Sequence, residues 1–270
     1  MAKKKRRTSS SGFTLPTEMK SPSGHIGDYS ILLHGEPKIG KTSLASCFPE
    51  VFFLEFEPGT KGLHRFSEEV SSWSDFQGWV TALDKDRSQF KTVVIDTADI
   101  AYKLCREHVC RKHGMEHPSD EGYGKGWDLV STEFQKWMSK IQKTGRGVIF
   151  ISHSQYKEVK SFDGTSRHKI MPTLSNSAAK VMIGMVDFIF YFYFGKGDRR
   201  RLQVEGTSDI EAGTRGEDGL HFKGITSIAM GANEKEAYAN LIKGFKNQLK
   251  AEPVENTKRR TKKRRVKKGL

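Results

Sequence analysis

Gly35-Glu36-Pro37-Lys38-Ile39-Gly40-Lys41-Thr42 sets two glycines, a lysine and a hydroxyl residue at the spacing G-x-x-x-x-G-K-[ST]. The chemistry that uses this spacing is phosphate binding. The glycines let the backbone turn its N–H groups toward phosphate oxygens, and Lys41 reaches the β- and γ-phosphates. Thr42 offers a hydroxyl to Mg²⁺ at a helix N-terminus whose dipole favours anions. Ser43 continues the same helix start, so residues 35–43 are the expected nucleotide-binding segment.

A triphosphate site also needs a carboxylate on the metal side. Val93-Val94-Ile95-Asp96-Thr97 reads as a buried strand that ends in Asp96, at the strand end where open α/β sheets bind ligands. Thr42 and Asp96 are therefore the expected metal-side pair. Asp96 as a helix N-cap is the plainer alternative, and Asp99 could substitute from a turn further on. Hydrolysis requires a group that orients water. Glu57, just before Pro58-Gly59 and two residues after Glu55, stands where a neighbouring strand end could face the γ-phosphate. The strand 147–153 ends in Ser152 and His153, and His153 is the better candidate to sense that phosphate.

These side chains must be held by elements. Short β-rich runs at 29–33, 51–56, 92–95 and 148–151 alternate with helical segments starting near Lys41, at Ser74 with Gln77 completing a capping box, after Thr97, and at 126–143. Such alternation predicts an α/β fold with a mostly parallel sheet flanked by helices. The second half differs. Segments 156–160 and 167–171 flank Asp163-Gly164, and 187–194 and 201–204 flank Gly195 to Asp198, so two hairpins are expected as antiparallel strands added at one edge. A last helix is expected over 233–250. Phe188, Phe190, Phe192 and Phe194 alternate as the core face of an added strand.

Charge separates the folded part from its ends. The 46 Lys and Arg exceed the 32 Asp and Glu, giving +14, and the whole excess lies in residues 3–7 and 258–268. The stretch between is formally neutral. Residues 1–27 and 251–270 are thus expected as basic arms without a core, and 28–250 as one domain. Like-charged arms suit a polyanion and bind phosphate backbones without sequence preference, although solubilising tails or a nuclear-import signal would have the same composition. No apolar run approaches the roughly 20 residues of a membrane span, and no apolar segment follows the basic start. Three cysteines suit a reducing compartment, cytosol or nucleoplasm.

In order along the chain, the glycine loop, the acidic strand end at 53–57, Val93 to Asp96, Gly122-Tyr123-Gly124-Lys125-Gly126-Trp127 and Ile149 to His153 resemble phage-type AAA/RecA-like ATP-binding proteins. That group includes RecA-like single-strand annealing ATPases. The resemblance spans about residues 28–250 and implies a RecA-like core that binds ATP·Mg²⁺, acts on single-stranded DNA and assembles as a ring or filament. It implies Glu57 as the water-activating residue. It also implies His153 as the link between the γ-phosphate and a mobile DNA-binding loop, where RecA usually has glutamine. A basic residue in a late loop would reach a neighbouring subunit's nucleotide, and Arg215 is the candidate, with 199–201 competing.

The segment after His153 has its own physical reading. Lys157, Lys160, Arg167 and Lys169 outnumber Glu158 and Asp163, with Tyr156 and Phe162 interleaved, a mixture that suits single-stranded nucleic acid. An ordinary exposed hairpin is the alternative. Cys105, His108, Cys110, His113 and His117 invite a metal reading, but Gly114 and Pro118 interrupt the helix that would align them. Two other functions fit the residues: a nucleotide-binding interaction module that does not hydrolyse, and a phosphotransferase acting on a small substrate.

Overall fold

Val93, Val94 and Ile95 are β-branched and wholly apolar, so they form a strand only where both faces of the sheet are covered. The computed structural model describes residues 15–57, 62, 64–86, 89–160 and 164–250, and in it all three are buried. Val93 and Ile95 face one core and Val94 the other. The period of two in a strand is what divides them.

In chain order the elements are β1 (Ser30–Gly35), α1 (Lys41–Ala45), β2 (Val51–Glu55), β3 (Phe66–Glu69), α2 (Trp73–Lys85), β4 (Thr92–Asp96), α3 (Ala98–His113), α4 (Lys125–Gln142), β5 (Gly147–Lys160), β6 (Ser166–Pro172), α5 (Asn176–Met185), β7 (Phe188–Phe194), β8 (Arg200–Gln203), β9 (Gly213–Thr214), β10 (Ser227–Ala229) and α6 (Glu234–Phe245). The sheet order is β10-β8-β7-β1-β5-β4-β2-β3, with β6 paired to β5 and β9 to β7. From β7 to β3 neighbouring strands run parallel. The β5–β6, β7–β8, β7–β9 and β8–β10 pairs are antiparallel. This is the mostly parallel α/β sheet with antiparallel additions that the RecA-like resemblance implies.

Two helical layers close the sheet. Trp73 and Phe76 of α2, Ala101 and Cys105 of α3, Phe134 and Met138 of α4 and Met182 of α5 share one core with Leu32, Phe52, Ile95 and Phe150. Leu44 of α1 and Ala237, Leu241 and Phe245 of α6 share the other with Leu33, Val94, Ile149 and Phe188, Phe190 and Phe192 of β7, whereas Phe194 at the end of that expected core stripe is exposed. No helix among the described residues is long and apolar enough to cross a membrane.

The structure corrects several expectations. Ser72, not Ser74, caps α2 by accepting the Asp75 N–H (3.1 Å), and Gln77 reaches across to Glu133 of α4 (2.8 Å). Strand β7 is the parallel neighbour of β1, inside the sheet, and only β8, β9 and β10 extend that side. The first expected hairpin does form, with the outer half of β5 as one strand and β6 as the other. The last helix stops at Phe245 because Asn247 takes a left-handed backbone (φ 57°) and the Gln248 N–H turns back to the Lys243 carbonyl. Both basic runs, Phe162 and Asp163 lie outside the described residues.

Candidate functional site

Placing β5 between β1 and β4 brings three strand ends together. Gly35 is level with His153, and Asp96 with Ile151. Gly35 is required by packing: a Cβ there would stand 2.3 Å from the Phe192 carbonyl oxygen of β7. Gly40 is required by conformation, since its φ of 109° starts α1 from a left-handed residue. Between the loop and the strand ends lies a cavity of about 490 Å³, lined by Lys38, Lys41, Thr42, Glu57, Asp96 and His153 among others.

Lys41 is only 5% exposed and donates to the carbonyls of Gly35 and Glu36, both at 2.9 Å. Burial lowers its pKa to about 8, against the upward pull of Asp96, Asp99 and Glu57. An ammonium stored in this way is ready to exchange two neutral acceptors for anionic ones. The Thr42 hydroxyl donates to Asp96 Oδ2 at 2.8 Å, which joins the two oxygen ligands expected for a divalent cation. Burial raises the pKa of Asp96, and the Thr42 hydrogen bond lowers it. Both ligands, and the cavity beside them, fit a hydrated Mg²⁺ carried on phosphate oxygens.

Glu57 follows β2, and its backbone N–H is 3.3 Å from the Asp96 carbonyl. Its Oε1 accepts from the Thr97 hydroxyl (3.2 Å), and Oε2 lies 3.7 Å from His153 Nε2. The structure thus brings Lys41, Thr42, Glu57, Asp96 and His153 to one cavity. Asp99 does not replace Asp96. It accepts the Ser152 hydroxyl (2.8 Å) and the His153 backbone N–H (3.0 Å), so it secures the end of the strand that carries His153. Glu55 points elsewhere and pairs with Arg65 at 2.7 Å.

Arg215 is not part of this cavity. Its N–H bonds to the Asp187 carbonyl, and its guanidinium donates to the Gly184 carbonyl (2.7 Å), beside the opening residues of β7 and at the opposite end of the sheet from the loop. Of the hairpin residues, Tyr156 is 74% exposed, and Lys160 and Arg167 are exposed. Lys157 donates to Asn176, and Lys169 forms an ion pair with Glu211 at 2.6 Å, which neutralises it. Cross-strand register puts Lys157 with Lys169, and Arg167 with Val159, on one face, and Tyr156 and Lys160 on the other. The cations do not form one stripe.

Sequence reasoning missed His34. It is fully buried, with Nδ1 2.8 Å from Ser154 Oγ and Nε2 2.7 Å from the Glu211 carbonyl, so it ties the phosphate-loop strand to the hairpin and to the loop that neutralises Lys169. Burial takes its pKa down to about 4. One histidine inside an apolar strand gives no such signal. Of the cysteine and histidine group, Cys105 and Cys110 are buried, and His117 caps the turn at 118–120 by accepting the Ser119 N–H.

A family model described as an AAA domain matches residues 28–216. No protein of curated function matches the chain significantly. Among solved structures, a KaiC-like protein from the hyperthermophilic archaeon Pyrococcus horikoshii OT3 is similar at 11% identity, over 77% of this chain and 87% of that one, with a TM-score of 0.44. The family match begins just before the phosphate-loop strand, takes in every member of the Lys41–Thr42–Glu57–Asp96–His153 cavity and covers most of the 270 residues: the chain belongs to the AAA domain family, as a P-loop ATPase type.

Proposed function

We propose that the protein binds ATP·Mg²⁺ at residues 35–43, hydrolyses it, and uses the cycle on single-stranded DNA in phage-type recombination or replication. The observation that carries the ATPase reading is the convergence of Lys41, the Thr42–Asp96 pair and Glu57 on one cavity. Lys41 Nζ binds the terminal phosphates in place of its two carbonyl partners. Thr42 and Asp96 would hold Mg²⁺, which would supply Lewis-acid neutralisation of phosphate charge. Glu57 Oε2, the oxygen that Thr97 does not hold, orients a water and takes its proton, while Thr97 fixes the other carboxylate oxygen. His153 Nε2, close to Glu57, registers the change and passes it into the outer part of β5.

The DNA reading is supported by that continuity of strand, by exposed Tyr156, Lys160 and Arg167, and by the basic run at 258–268. Assembly of several copies would be needed for Arg215, at the far end of the sheet from its own loop, to reach a nucleotide. The deciding experiment is steady-state ATP hydrolysis with Mg²⁺, with and without single-stranded DNA, using Lys41→Ala as the blank. DNA-stimulated turnover that vanishes in the blank is expected. Binding without turnover would replace this reading with a non-hydrolysing module, and turnover indifferent to DNA would point to a phosphotransferase or another motor.

A further inference from the structure

The triphosphate has two ends, and the described acids claim only one. Glu57, Asp96 and His153 all lie on the β4–β5 side of the phosphate loop, so a terminal phosphate placed among them leaves the nucleoside to depart on another side. The opposite flank of β1 is formed by β7 and β8. Phe194 and Arg200 are direct cross-strand partners there, at the end of that hairpin level with the loop, and such partners share a face. That face is the one of Phe192 and Leu202, which pack toward α1 and α6.

Geometry places Arg200, together with Phe192, against the loop, and Phe194 next to Arg200 across the hairpin. A Cβ on Gly40 would lie 3.7 Å from Arg200 Nη1 and 3.8 Å from Phe192 Cε1. No carboxylate forms an ion pair with Arg200 among the described residues, so its charge stands beside Gly40 uncompensated. The next residue behaves differently. Arg201 turns to the other face and donates to Ser227 Oγ (2.7 Å). Phe194 is 50% exposed, although Phe188, Phe190 and Phe192 of the same stripe are buried. The stripe therefore ends as an open aromatic face whose cross-strand partner, Arg200, reaches the phosphate loop.

We infer that Phe194 and Arg200 form the nucleoside half of the site: the Phe194 ring stacks on the base, and Arg200 holds the phosphate nearest the ribose. The ligand class is an aromatic nucleoside triphosphate. Stacking is tolerant of which base it meets, while the guanidinium is a donor only and so addresses phosphate oxygens. This assignment rests on the ATP reading of the same loop.

The test measures equilibrium binding of ATP·Mg²⁺ and of inorganic tripolyphosphate·Mg²⁺, which has no base, to the full chain and its variants. Phe194→Ala is expected to weaken ATP about tenfold, the size of one base–aromatic stack, and to leave tripolyphosphate unchanged, with Phe194→Trp restoring ATP. Arg200→Ala is expected to weaken both ligands about tenfold. Wild-type affinity for ATP in Phe194→Ala, or equal loss of both ligands, would overturn the base assignment, and unchanged binding in Arg200→Ala would overturn the phosphate assignment. Failure of the ATP reading looks different: the unaltered chain binds neither ligand, or Lys41→Ala binds both as well as the unaltered chain does. The half-exposed position of Phe194 makes loss of folding an unsuitable explanation, and circular dichroism of each variant checks it.

Discussion

Strand β5 contains two regions of opposite character. From Gly147 to Ser152 every residue is buried, with β1 on one side and β4 on the other. From Ser154 to Lys160 the strand pairs only with β6, and its side chains alternate between half-buried and exposed. The inner half positions chemistry, because two neighbours and the Asp99 carboxylate determine where His153 can sit. The outer half presents a surface. There the placement of each cation depends on local partners, and Asn176 and Glu211 engage two of them. Rigidity and adaptability are thus divided along one strand, with His34 bridging the junction from β1.

The largest effect should come from the inner region. Lys41→Ala removes the buried ammonium and is expected to weaken ATP binding roughly 100-fold or more, measured by calorimetry. Glu57→Gln should keep binding and lower kcat roughly 10²- to 10⁴-fold, measured by phosphate release. Normal turnover in that variant would assign water activation to another group.

At the junction, the test is pH. His34 has a pKa of about 4 in the folded chain, against 6.5 as its ordinary value, so between these limits the unfolded chain binds the proton and the folded chain does not. Stability from this group is complete above about 6.5 and is lost as pH falls toward 4, by about 3 kcal/mol. Urea unfolding at several pH values should show this loss in the unaltered chain and a shallower one in His34→Gln. Equal slopes would mean that His34 is not the acid-sensitive contact.

Smaller effects sharpen the outer half. Removing residues 258–270 should reduce DNA affinity equally across sequences and flatten its salt dependence, read by fluorescence anisotropy over a salt series. Lys160→Ala with Arg167→Ala should reduce the salt slope by about one for each phosphate no longer neutralised and leave ATP binding untouched. Lys169→Ala should do less than either, because Glu211 already neutralises that lysine. If Lys169→Ala matched the exposed pair, the distinction between engaged and free cations would fail.

Much of the site was legible in one dimension because its pieces are local. The loop at 35–42 needs glycines, a lysine and a threonine within eight residues, and a buried strand ending in an acid announces Asp96. Strand β3 and helix α5 escaped for physical reasons. Phe66–Glu69 is exposed throughout and carries no alternation, and Asn176–Met185 follows a serine cap with a short run whose helical form is set by packing of Ala178 and Met182 against the core. The capping box at Ser74 looked sound, but Ser72 won because Trp73 begins the buried face.

By itself, then, the sequence determined the phosphate loop, the Asp96 and Glu57 strand ends, the alternating α/β order and the neutral middle between basic ends, since each depends on residue type and short spacing. Tertiary structure alone decided what those residues meet. Insertion of β5 between β1 and β4 joined His153 to Glu57, Asp99 to His153 and His34 to Ser154, and placement of β7 beside β1 put Arg200 next to Gly40. Contacts between residues 40 to 177 positions apart follow from strand order, and strand order is settled by how two buried cores close on one sheet, which no local spacing encodes.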